Sequence, residues 1–278
     1  MQRVPLVHGR IRRTPAGVRH PESKPQPQAR STSLQEIQTM KYLTQTVAGA
    51  MMLTAVGSAY AEASANVAMS TNYMFRGISQ TGEDAIEPAI SGGFDFGHES
   101  GLYIGTWGSN VELADADGDG EIADMEMDIY GGYSGEMGGL GYDVGLLYYW
   151  YPGTDDLDFI EYYGGISTNL GAAEVGLSVN FSPDYYAKSG DAYYVNASAS
   201  MPLSGGFGIN ASVGYQSIDE ENTFGTPDYY DWKLGVTTAA FGLDLELAWI
   251  DTDLSNSDCF GGTDFCDGRA VFTASKSF

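Results

Sequence analysis

Basic residues are almost missing from most of this chain. Residues 62–278 hold five Lys and Arg against 35 Asp and Glu. No basic patch is available to meet phosphate, so nucleic acid is excluded as a partner. Histidine is as scarce: His98 is the one histidine beyond residue 61. A Ser/His hydrolase site needs an orienting third group around its histidine, and His98 falls at a short turn where a lipid-face hydrolase would not place it. No P-loop, dinucleotide fingerprint or zinc pattern occurs, and the GxG strings lie on strand-like segments rather than at strand-to-helix turns. The chain is therefore not read as an enzyme. Long apolar runs are absent too. Nothing beyond Ala61 approaches the roughly 20 apolar residues of a membrane helix, so any membrane role must come from strands.

What is present is uneven. Residues 1–61 carry eight of the 13 Lys and Arg and only two of the 37 Asp and Glu. Residues 1–39 hold half of the ten prolines and show no periodicity; they read as a disordered basic extension, or as sequence upstream of a start at Met40. From Met40 the chain runs Met40-Lys41, then an apolar stretch from Val47 to Val56, then Ala59-Tyr60-Ala61. A charged start, a short apolar core and an A-x-A site predict a secretory signal peptide over 40–61, and hence export. Beyond it lie 33 of the 37 glycines, together with many Tyr, Phe and Trp. That mixture argues against an acidic disordered tail and for an all-β protein with many turns.

Alternation supports this. Leu243, Leu245, Leu247 and Trp249 interleave with Asp244, Glu246 and Ala248; Val175, Leu177, Val179 and Phe181 interleave with Glu174, Gly176, Ser178 and Asn180. Successive strand side chains face opposite sides, so each segment has one apolar face and one polar or small face. Twelve such segments are predicted: 64–76, 87–98, 101–112, 124–134, 140–151, 159–168, 172–182, 192–201, 206–216, 229–238, 242–251 and 269–278. Their connections alternate short and long. Segments of this length, joined by short turns on one side and long loops on the other, match a transmembrane barrel. A soluble sandwich also alternates. However, the polar positions here favour Gly, Ser and Asn, and aromatics gather near segment ends, as in interfacial girdles. The predicted fold is an all-β, 12-stranded antiparallel up-and-down transmembrane β-barrel over 62–278, in the outer membrane of a Gram-negative cell.

Particular stretches carry a resemblance. They are Asn72-Tyr73-Met74-Phe75-Arg76-Gly77-Ile78-Ser79-Gln80-Thr81, then Pro88 to Asp95, Ser100 to Trp107 and Ser109-Asn110-Val111. With the Cys259/Cys266 loop and the terminal Ser275-Lys276-Ser277-Phe278, the chain resembles the TorF family, a bacterial group taken to be porins. The resemblance spans essentially all of 62–278, and its most specific part is the FRGISQT stretch. It implies an outer-membrane location and a pore, with no catalytic residues and no defined substrate.

Four groups of residues are candidates for function. Asp115, Asp117, Asp119, Glu121 and Glu126 fit positions 1, 3, 5, 7 and 12 of a calcium loop with Gly120 at 6, where hard oxygen ligands suit Ca²⁺. Against this, Ala123 stands at position 9, no flanking helices are expected, and Glu126 lies in a strand-like run; a solvated acidic loop is the other reading. No cofactor is required. Cys259 and Cys266, in an exported protein, predict a disulfide. Alternation sends Asp95, Asp128, Asp143, Glu161, Glu174, Asp244 and Glu246 into the lumen with Lys233. Arg76, placed on the polar face of the first strand, joins them, either tying carboxylates into a stiff network or narrowing the pore. The expected function is a porin-like barrel passing small solutes or ions and preferring cations, with the outer-membrane bilayer as its surroundings. The alternative is a plugged structural or surface-binding barrel with calcium-ordered loops.

Overall fold

The computed structural model describes residues 62–114, 122–154 and 156–278. Residues 1–61, including the predicted signal peptide, lie outside them, as do Asp115, Asp117, Asp119 and Glu121.

Twelve strands form one closed antiparallel barrel. In chain order they are β1 (Glu62–Ser70), β4 (Ala89–Gly97), β5 (Leu102–Ala114), β6 (Ile122–Met137), β7 (Leu140–Trp150) and β8 (Phe159–Leu170). They continue as β9 (Ala173–Ser182), β10 (Ala192–Pro202), β11 (Phe207–Ile218), β12 (Tyr229–Ala240), β13 (Leu243–Thr252) and β14 (Arg269–Ser277). Each pairs with its neighbours in sequence, and β14 closes on β1 through Asn66↔Ser277 to Ser70↔Thr273. The terminal Phe278 seals the seam, exchanging two backbone bonds with Ala65. Closure leaves no unpaired edge, which is what allows a sheet to stand in lipid. No helix among the described residues is long and apolar enough to cross a membrane. Among the described residues the longest helical piece in the loops is the single turn α1 (Glu221–Phe224).

The period-2 pattern explains how the wall is dressed. Phe94, Leu234, Ile104, Leu247 and Val144 point outward and are 69%, 61%, 57%, 57% and 52% exposed. Glu126, Asp143, Glu161 and Gln216 point inward and are at most 1% exposed. Exposure is thus inverted relative to a water-soluble sandwich, whose apolar face would be the covered one. A continuous apolar belt of this size marks a surface made for a non-aqueous or protein neighbour.

One predicted strand is wrong in its second half. The first barrel strand ends at Ser70, not at residue 76. The chain then leaves the wall and folds into a small hairpin of β2 (Met74–Phe75) and β3 (Ile78–Ser79). Its turn residues Arg76 and Gly77 have φ of 49° and 82°. At Gly77 this left-handed backbone coincides with close approach to the wall, since an added Cβ would lie 2.9 Å from Asp231 Cβ and 3.2 Å from Asp251 O. Glycine suits both demands.

Candidate functional site: the occupied lumen

The hairpin lies inside the barrel. Asn72, Tyr73, Met74, Ile78 and Ser79 are all at most 6% exposed, and the side chains of Tyr73, Met74, Phe75 and Arg76 all meet residues of the barrel wall. Gln80 N donates to Tyr73 O (2.7 Å) across the hairpin's own base, and the backbone is pinned to its surroundings at two points, where Ser79 N donates to Phe265 O (2.9 Å) and Glu112 N to Gln80 O (2.7 Å). Met74 packs with Ala248, Ile250 and Val271 on β13 and β14. On the opposite side Tyr73 meets the Trp107 ring edge-on at 5.4 Å, and Phe75 meets Tyr149 at 5.8 Å.

Arg76 sits at the tip. Its Nη2 donates to both oxygens of Glu161 at 2.7 Å and its Nη1 to Gln216 Oε1 at 2.7 Å. The guanidinium lies 4.2 Å from the Tyr194 ring centroid and 4.7 Å from that of Phe75. Glu161 takes two more donors, Asn180 at 3.0 Å and Tyr149 at 3.3 Å. The pair is nearly dry, with side chains 6% and 2% exposed. Arg76 therefore does gather lumen groups, but from a loop inserted in the lumen and not from the face of strand one.

Above the hairpin the long loops converge on an aromatic plug. Tyr185 contacts Phe159 and Phe224, Phe224 contacts Phe260, and Phe260 contacts Phe265. Burial pushes the loop phenol of Tyr185 above its ordinary pKa, opposed in part by Arg76. It therefore stays protonated, which suits its place in this layer.

The other expected lumen residues are distributed along the wall. Asp95 accepts from Tyr130 OH (2.5 Å), and Asp143 accepts from Tyr103 OH (2.7 Å). Lys233 pairs with Glu246 at 2.9 Å, and Asn210 donates to the same carboxylate at 2.7 Å. Asp128 is 5% exposed beneath the hairpin. Glu174 shares the face of Asn180 on β9, and Asp244 that of Glu246 on β13; both are half-buried toward the turn side. Glu126, the calcium-ligand candidate that lies in a strand-like run, is committed to the lumen. Its two oxygens accept from Tyr73 OH and Tyr151 OH, each at 2.8 Å. A calcium ion in the loop before it would have to be held without this carboxylate. The remaining ligands of that loop lie outside the described residues, and no group of three acids, His or Cys among the described residues is arranged for a metal.

Cys259 and Cys266 are joined, Cα–Cα 5.9 Å, in the loop before β14. They pack at 0% and 3% exposure in the cluster that covers the hairpin. Unreduced protein should give no reactive thiol even after denaturation. Recovery of two thiols from unreduced, denatured protein would contradict the bond.

Two anchors were not among the expected residues, although Asp231 has the strand parity of Lys233. Arg269, at the start of β14, is 5% exposed and donates to five carbonyl oxygens, those of Gly82, Glu83, Asp84, Asp264 and Asp267. It staples the first long loop to the last. Asp231 accepts from Tyr194 OH, joining the wall to the ring that stacks on Arg76. The scarcity of cations was the available clue for Arg269: each of five bases among 35 acids is worth tracing.

A family model described as "Bacterial protein of unknown function (Gcw_chp)" matches residues 54–278. The chain belongs to this family. The comparisons do not return the TorF name, and no curated protein matches. Among solved structures the barrel is similar to the KdgM porin (TM-score 0.51, 7% identity, covering 77% of this chain and 98% of that one). It is similar to KdgM in complex with disordered oligogalacturonate (TM-score 0.52, 8% identity, 77% and 99%). The NanC porin gives a TM-score of 0.50 at 6% identity, over 76% of this chain and 97% of that one. Identities this low speak for a shared fold.

Proposed function

We propose that the chain is an outer-membrane barrel that passes small cations around a hairpin held in its lumen. One observation carries the reading: the inward face of a lipid-dressed barrel is lined by carboxylates far in excess of cations. Asp95, Glu126, Asp128, Asp143, Glu161, Glu174, Asp231, Asp244 and Glu246 line the wall; Arg76 of the hairpin and Lys233 are already paired with two of them, and Arg269 is tied to backbone carbonyls. Low-dielectric walls concentrate such a field, and rings of Asp and Glu favour cations in a pore. The oligogalacturonate of the KdgM complex does not transfer to this lumen: a chain of uronate carboxylates would meet repulsion along it. The porin fold of the neighbours supports the pore; the charge of this wall supports the sign.

Reversal potentials across a KCl gradient in planar bilayers test this. We expect K⁺ over Cl⁻ at 0.1 M salt, where the Debye length is about 10 Å. The preference should shrink at 1 M, where it is about 3 Å. Anion preference at low salt would overturn the reading. The buried hairpin also favours a second reading, a plugged barrel with a structural or surface-binding role. A correctly inserted barrel that is silent to K⁺ would establish that one.

A further inference from the structure

Resting on the cation reading, we propose that the turn-side half of the lumen is a subsite for organic cations, a guanidinium or substituted ammonium held between tyrosine faces and the carboxylates of Asp95 and Asp143. The hairpin and the aromatic plug fill the loop side. Below them the wall of β8 to β11 carries small side chains, with Gly165, Ser178, Asn196 and Gly214 in one hydrogen-bonded row. At Gly165, Ser178 and Asn196 this stretch of wall therefore puts little side-chain bulk into the turn-side lumen, while Tyr194 lies over Gly214.

On β4 to β8 three tyrosines are laid along the wall. Tyr103, Gly132, Gly145 and Tyr163 are register partners across four adjacent strands. The two rings lie over the two glycines, and their hydroxyls meet. A Cβ added at Gly132 would come within 2.6 Å of Tyr103 Cζ, and one at Gly145 within 2.6 Å of Tyr163 Cζ. The next row repeats the device. Tyr130 lies over Gly105, where an added Cβ would be 2.5 Å from its Cζ, and its hydroxyl reaches Asp95. A phenol flattened onto glycine turns one face to the wall and the other to the lumen. All three rings are partly exposed.

The electrostatics choose the ligand. Ion pairs among the described residues are Arg76–Glu161, Lys188–Asp184 and Lys233–Glu246, so Asp95 and Asp143 take no Lys or Arg. Asp143 is 1% exposed, and its Oδ2 meets no donor. Negative ring faces beside uncompensated carboxylates attract a desolvating cation. The same chain already uses this recipe higher in the lumen, where the Arg76 guanidinium is held by Glu161 and stacked on Tyr194 and Phe75.

Arginine amide is the probe, and its binding to detergent-refolded protein is followed by saturation-transfer NMR, which needs no conduction. The Tyr103→Leu/Tyr163→Leu variant should bind it roughly tenfold more weakly, the ~1.4 kcal/mol of two lost cation–π contacts. Tyr103→Phe/Tyr163→Phe keeps the faces and should bind within a few-fold of the parent. Heat-modifiable gel migration verifies that each variant is folded. Undiminished binding to the Leu variant, no binding to the parent, or maltose binding as well as arginine amide and lost in the same variant would each overturn the subsite. Bilayer K⁺ preference is read separately. It should survive in both variants because no carboxylate has changed, and its absence in the parent would sink the pore reading alone.

Discussion

Replacing Arg76 by Ala lowers the stability of the folded barrel by about 3–5 kcal/mol, the range for removing one partner of a buried ion pair. The magnitude follows from what is left behind. Glu161 is 1% exposed and would lose its bidentate donor while keeping only Asn180 and Tyr149. Gln216 would lose its donor as well, and the Tyr194 and Phe75 rings would lose the cation they stack on. Urea unfolding of refolded protein, followed by the loss of heat-modifiable migration, measures the change. Adding Glu161→Gln removes the stranded charge, and the double variant should recover part of the loss, because an uncharged amide costs less to bury than a carboxylate. A single variant within about 0.5 kcal/mol of the parent, the range of ordinary surface changes, would mean that the pair contributes no net stability. Conductance of R76A should rise at the same time, since the tip of the hairpin is then held only by packing.

Excising the hairpin should produce the largest functional change. Gln80 N donates to Tyr73 O at 2.7 Å, so the two ends of the hairpin already lie side by side. Residues 73–80 can therefore be replaced by two glycines without moving Asn72 or Thr81. The replacement empties the centre of the loop-side lumen. It also strands Glu126 and Glu161, which accept from Tyr73 and Arg76, so Glu126→Gln and Glu161→Gln belong in the same chain. Unitary conductance should increase several-fold, and sugars excluded by the parent should enter liposomes. If the parent is silent and the excised barrel conducts, the hairpin is a complete plug. If both conduct alike, ions pass by a route the hairpin does not obstruct, and its role in narrowing the pore is refuted.

Strand positions were legible because alternation is enforced at every residue of a wall with lipid-like surroundings on one side and a polar lumen on the other. A shift of one residue would turn Leu245 and Leu247 inward and Asp244 and Glu246 outward. All twelve segments therefore lie within a few residues of their expected places, apart from the end of the first. The inward direction of Asp128, Asp143, Glu161 and Glu246 comes from the same constraint. That end failed for an identifiable reason. Asn72 and Arg76 interleave with Tyr73 and Phe75 well enough to extend the alternation of β1 as far as Arg76, and only the apolar Met74 on the polar face breaks it.

Period-2 reasoning says which face a residue takes, and says nothing of what enters the cavity that face encloses. The placement of the hairpin depends on contacts far apart in the chain. Arg76 meets residues 85 and 140 positions away, and Arg269 meets carbonyls 185 to 187 positions away. Such partners are selected by the diameter of the closed barrel and by the need to pair each buried charge. Composition and periodicity thus set the barrel, its outward apolar belt and its acidic interior. Whether that interior is a clear channel or a lumen occupied by residues 72–80 was settled by long-range packing, because an alternating pattern has the same form around an empty cavity and a filled one.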